Sequence, residues 1–157
     1  MCLIIDTNCL ANVFQQKAKN HRRFAPVLDW IRNGKGRMIY GGTKYNTELR
    51  GVTKVLAIVG ELSKQRRTIK LPNSIVDPIA YTLKEQFPDP EFNDEHLAAL
   101  VIASRCCVVC TDDNVAISYL KRTDIFPVGV DRPKIFRGHK SHKDLCCDRH
   151  IVAICRQ

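Results

Sequence analysis

The chain has 157 residues, carries 25 Lys and Arg against 16 Asp and Glu for a formal charge of +9, and is 45% hydrophobic. That length supports one cored domain and excludes a second independent one, and the basic balance suits a polyanionic partner, nucleic acid first. The longest apolar stretch, Leu97 to Ala103, is cut by Arg105 well short of a membrane span, which excludes a transmembrane helix.

Cys2 to Ile5 is a continuous apolar run ending at Asp6, as in a strand buried on both faces of a parallel sheet. Thr7 or Asn8 is placed to cap a helix carrying Leu10, Val13 and Phe14 on one stripe. Gln15 to Arg23 reads as a loop, and Phe24 to Arg32 as a second helix stopped by Asn33, Gly34 and Gly36. Trp30 and Phe24 fall at core spacing within it. Arg37 to Tyr40 is a short strand, Gly41 and Gly42 a turn, and Thr43 opens a long helix to about Arg67 that carries Glu48.

Thr68 to Leu71 is the next strand, and Asn73 caps a helix that ends at Phe87, before Pro88 and Pro90. Asn93 and Asp94 start a helix bearing Leu97, Leu100, Val101 and Ser104, which runs into the apolar strand Cys106 to Cys110. Thr111, Asp112, Asp113 and Asn114 then open a helix to Lys121, and Ile125 to Val128 is the last strand. From Asp131 onward there is no clear periodicity until Ile151 to Ile154. Strands alternating with helices in this order predict an α/β fold with a central parallel sheet of about five strands flanked by helices in three layers.

Two of these strands deliver acids at their carboxyl ends, Asp6 from the first and Asp112 and Asp113 from the Cys106 to Cys110 strand. Open parallel sheets bind ligands beyond the carboxyl ends of their strands. Carboxylates gathered there repel one another unless a cation neutralises them, and hard oxygen ligands with room for water suit Mg²⁺ or Mn²⁺. Glu48 and Asp94 have the same character, each an acid in an early helical turn beside apolar residues; complementing the helix dipole is the plainer role for either alone.

Together these residues resemble the PIN-domain nucleases, in particular the small toxin-like ribonucleases of the VapC type. The resemblance lies in Leu3-Ile4-Ile5-Asp6-Thr7-Asn8, in Thr47-Glu48-Leu49, in Asp94-Glu95-His96-Leu97-Ala98-Ala99, and in Cys110-Thr111-Asp112-Asp113, in the family's order. It covers a PIN-like domain over 1–130, with 131–157 a basic Cys/His-containing extension packed on or next to it. It implies an endoribonuclease using Mg²⁺ or Mn²⁺, with Asp6, Glu48, Asp94 and Asp113 as catalytic metal-site carboxylates. The family's Thr, any residue, Asp pattern picks Asp113, while Asp112 flanks the same strand tip and stays a second choice. Asn8 and Thr111 correspond to polar positions that orient the carboxylates. An acid that many relatives carry three residues after the final Asp is replaced by Ala116, which leaves open whether one metal or two is bound.

The implied products are a 5′-phosphate and a 3′-hydroxyl. The implied setting is the cytoplasm, the biological role a toxin of a toxin-antitoxin or phage-defence system, and the partners RNA, an antitoxin or regulatory protein, and a second copy in a homodimer. The alternative is a PIN-like module that binds RNA or scaffolds a complex without cleaving it.

An acidic pocket repels RNA, so cations must rim it. Arg50 and Lys54 near Glu48 and the tail residues Arg132, Lys134, Arg137, Lys140 and Lys143 are the leading RNA-binding candidates, with Lys44 and Arg105 behind them. Cys106, Cys107 and Cys110, in an apolar strand-like run, read as buried thiols in a reducing compartment. Cys107 and Cys110 lie three apart in a strand and face opposite ways, and His139, His142, Cys146, Cys147 and His150 match no standard zinc spacing. His96 reads as a capping or surface residue, with contact to substrate the alternative.

Overall fold

The structure is a computed structural model describing residues 2–150 and 152–156; Ile151, which opens the apolar run noted above, lies outside the described residues. Five parallel strands form one sheet: β1 (Cys2–Ile5), β2 (Arg37–Gly41), β3 (Thr68–Leu71), β4 (Val108–Cys110) and β5 (Lys134–Phe136), in the order β3-β2-β1-β4-β5. The helices are α1 (Leu10–Phe14), α2 (His21–Asn33), α3 (Thr43–Arg50), α4 (Thr53–Lys64), α5 (Asn73–Gln86), α6 (Glu95–Ser104) and α7 (Asn114–Leu120). The α/β class and the five-stranded parallel sheet flanked by helices are as expected from the alternation of elements.

β1 is wholly buried at every residue because both its faces are covered, which is why its sequence is uninterrupted Cys-Leu-Ile-Ile. From β1 the chain builds outward to β2 and β3 on one side, then returns to lay β4 and β5 on the other. The winding direction therefore reverses between β1 and β4, the position at which open parallel sheets bind ligands beyond the carboxyl ends of their strands. Asp6 and the Thr111 to Asp113 segment leave the sheet at that point.

The predicted long helix from Thr43 to Arg67 is two helices. Gly51 and Val52 bond back to the carbonyls of Glu48 and Leu49 and close α3, Val52 takes a non-helical backbone, and α4 starts at Thr53. The Ile125 to Val128 strand does not form: Ile125 and Phe126 are buried loop residues, whereas Val128 is fully exposed. The fifth strand is Lys134–Phe136, so the segment beyond residue 130 contributes an edge of the sheet. Cys155 pairs with Cys2 of β1 as a disulfide, Cα atoms 6.2 Å apart; the other six cysteines are free, Cys106, Cys107 and Cys110 among them. The loop after α1 ends sooner than predicted, at His21, where α2 begins.

The turn from β2 into α3 depends on glycine. Gly41 has φ +148°, and a Cβ there would stand 2.3 Å from the Leu71 carbonyl oxygen of the neighbouring strand. Gly41→Ala is expected to cost about 2–3 kcal/mol, a clash with backbone on top of the strained φ, and urea unfolding will read it as a lowered midpoint with unchanged slope. The next element is held from outside: Asp77 of α5 accepts from the Thr43 amide at 2.8 Å and the Thr43 hydroxyl at 2.6 Å. α3 thus starts with a cap borrowed from α5, and this sets the direction in which it carries Glu48 toward Thr7, just past β1.

Candidate active site

Asp6 is the centre of the site. It is 2% exposed, its amide completes the ladder by bonding Cys110 O, and its carboxylate accepts the Thr111 hydroxyl at 2.6 Å and the Asn8 amide at 3.3 Å. Thr111, fully buried, also accepts the Asp113 amide at 3.1 Å, so one hydroxyl clamps the acids of two strand tips to each other. Burial raises the Asp6 pKa; the bonds from Thr111 and Asn8 resist this, and the charges of Asp113 and Glu48 add to it.

Asp94 occupies the N-cap position of α6, yet its side chain makes no capping bond. Its carboxyl is pushed up to about 6, first by burial and then by the charge of Asp6, with Lys44 opposing and Asp113 and Glu48 adding to the rise. Asp113, by contrast, caps α7, accepting the amides of Val115 at 2.7 Å and Ala116 at 3.1 Å through Oδ1. Glu48 comes from α3 and takes the Thr7 hydroxyl on Oε2 at 2.6 Å.

Asp6, Glu48, Asp94 and Asp113 therefore share one electrostatic neighbourhood, although they come from four separate elements. Asp112 turns aside to accept the Cys9 thiol at 3.3 Å. Of the polar positions expected to orient carboxylates, Thr111 does so with its side chain; Asn8 does so with its backbone amide, its side chain being exposed.

Two residues at the site were not anticipated in these roles. Thr7, weighed only as a helix cap, holds Glu48. His96, expected at a cap or on the surface, is buried beneath the site with its ring 6.2 Å from that of Tyr45, and burial followed by the Lys44 charge pushes its pKa down to about 3. Both ring nitrogens are without a hydrogen-bond partner, a burial that costs about 1–3 kcal/mol per unsatisfied group. Lys44 lies near Asp94, bonded to the Asn93 carbonyl and paired with Glu95 at 3.1 Å.

The predicted cations disperse. Arg137 follows β5 directly, level with Thr111, whose amide bonds Phe136 O; its guanidinium donates to Asn114 Oδ1 at 2.8 Å, beside Asp113. Arg132 and Lys134 sit at the opposite end of that strand, bonded to the Lys121 carbonyl and to His150 Nε2. Arg50 lies two residues from Glu48, hence on the other face of α3, in a cleft with Tyr40 and Lys70, and Lys54 is exposed in the first turn of α4. Lys140 and Lys143 lie on a 3-10 turn beyond β5.

Among the described residues no three His, Cys, Asp or Glu side chains stand within joint reach of one ion. The donor set suits Mg²⁺ or Mn²⁺ even so, because these ions bind through one or two carboxylates and reach further oxygens through retained waters. Compared with protein-family models, with curated proteins and with solved structures, the chain matches none.

Proposed function

We propose that this protein is a metal-dependent endoribonuclease of the PIN-domain type. The observation that carries the reading is Asp94: an acid at a helix N-cap that makes no capping bond and is raised to about 6 by burial and by the other acids. A fold that places four carboxylates in mutual repulsion at the winding reversal of its sheet, with one left unbonded, has a site suited to a divalent cation. Asp6 and Asp94 would hold Mg²⁺ or Mn²⁺, with Glu48 and Asp113 reaching it directly or through water. A bound cation supplies the Lewis acidity that makes a water nucleophilic near neutral pH and polarises a phosphodiester.

The chain's own residues do the rest. Thr111 and the Asn8 amide fix Asp6, and Thr7 fixes Glu48, so the oxygens are oriented before substrate arrives. Lys44, paired with Glu95, tempers the negative charge around Asp94. Arg137, at the same carboxyl end of the sheet and bonded to Asn114 beside Asp113, would take an RNA phosphate. We extend the proposal to a cytoplasmic toxin-like role with an antitoxin or regulatory partner and a homodimer; among the described residues no helix is long and apolar enough to cross a membrane.

Cleavage of labelled single-stranded RNA with Mn²⁺ or Mg²⁺, against an EDTA control and Asp6→Asn, tests the reading. Metal-dependent cutting lost in the variant supports it; RNA binding with no cutting under any metal replaces it with a scaffold. The cations separate further: Arg137→Ala is expected to weaken RNA binding about 3–10-fold and flatten its salt dependence, a loss on the order of one phosphate contact. Arg132→Ala, at the far end of β5, is expected to change neither. Salt-titrated anisotropy with a non-cleavable RNA measures both.

A further inference from the structure

α6 is buried around its circumference at Leu97, Ala98, Ala99, Leu100 and Val101, and His96 stands in the same buried stretch. An apolar side chain of similar volume would fill that place and leave no orphaned nitrogen. The His96 side chain is instead 2% exposed with neither ring nitrogen bonded, and the polar atom it faces is Glu48 Oε2, 3.5 Å from Nε2. That oxygen already accepts the Thr7 hydroxyl. Nε2 and the Thr7 hydroxyl therefore approach one carboxylate oxygen, and the other is left uncommitted.

We infer that His96 is a positioning residue for Glu48: a neutral imidazole carrying its proton on Nε2, which with the Thr7 hydroxyl holds Oε2 and leaves Oε1 to serve a cation or its water. The inference rests on the metal-dependent reading and adds to it a residue beneath the carboxylates. The chemistry is that of a ring N–H tethering a carboxylate so that its free oxygen has one orientation, an effect lost when the donor is removed even if the packing is kept.

Two measurements on the whole protein decide it. In the metal-free protein, ¹⁵N-resolved NMR of the His96 ring is expected to show the Nε2–H tautomer, with a shift that moves in Glu48→Ala. In Mn²⁺ titrations, His96→Leu is expected to bind about 10–100-fold more weakly than wild type. His96→Gln, whose amide reaches the Nε2 position, is expected to recover to within about threefold. His96→Asn, whose shorter amide mimics Nδ1, is expected to behave like His96→Leu and replaces it if the leucine variant does not fold. An Nδ1–H tautomer, or equal Mn²⁺ affinity in the Gln and Asn variants, overturns the inference. A wild-type protein that binds no Mn²⁺ overturns the nuclease reading instead, and the tautomer and its response to Glu48→Ala still decide the His96 contact.

Discussion

Asp6→Asn is expected to lower RNA cleavage by on the order of 10²–10³-fold while moving the stability of the metal-free protein by no more than about 1 kcal/mol. The two halves have separate causes. Asp6 is buried with its charge opposed by burial and by neighbouring acids, so neutralising it removes an unfavourable charge from the folded state. Against that gain, the amide replaces one acceptor oxygen with a donor, and the Thr111 hydroxyl, which now bridges Asp6 and the Asp113 amide, must turn to suit it. The opposing terms are of similar size and leave little net change. Activity has no such compensation, because the same charge is what a divalent cation needs.

The control is Glu61→Gln, an exposed acid paired with Lys64 on the surface, for which neither activity nor stability should move. Asp113→Asn provides a second test, since an Asn at that position still caps α7. Full activity in both Asp variants would place the chemistry elsewhere. Loss of activity together with loss of the melting transition in both would mean that the acids serve the fold and not a reaction.

The parts legible in the sequence were those where one physical demand dominates. β1 and the carboxyl-terminal part of β4 read correctly because strands covered on both faces admit only apolar residues, and the acids behind them stand out by contrast; Cys106 and Cys107, read as strand, precede it. β5 was missed because an edge strand of three residues, with Lys134 exposed and only Phe136 fully buried, has almost no pattern. Ile125 and Phe126 were stronger apolar signals and are spent on packing a loop. The break at Gly51 and Val52 sits between two segments with good helical stripes, and neither residue forbids a helix. His96 had a signal that was passed over: it lies two residues past Asp94, in a helix whose following residues are apolar all round, where any polar side chain must be buried.

Asp94 is expected to drive the pH dependence of stability and that of cation binding in opposite directions. An acid whose pKa is higher in the folded state stabilises the fold below its unfolded value and loses that contribution as pH rises through the folded one. For Asp94 the window runs from 3.8 to about 6, and Asp6 is displaced in the same direction. His96 acts with the opposite sign. Its folded-state value falls from 6.5 to about 3, so its contribution is present above 6.5 and is lost as pH drops.

In the wild type these slopes oppose each other between pH 6 and pH 4.5, and metal-free stability should be nearly flat. His96→Leu removes the imidazole term, and its stability should then rise by about 1–2 kcal/mol from pH 7 to pH 4.5, a figure reduced for the partial solvent screening of Asp94. Over the same interval protons compete with the cation for Asp94, so wild-type Mn²⁺ affinity should fall about tenfold for each pH unit below 6. Chemical denaturation with EDTA at several pH values reads the first effect, and Mn²⁺ titration reads the second. A His96→Leu protein less stable at pH 4.5 than at pH 7 would remove Asp94 as a strained acid. Mn²⁺ affinity indifferent to pH would mean that the cation is held by groups other than Asp94.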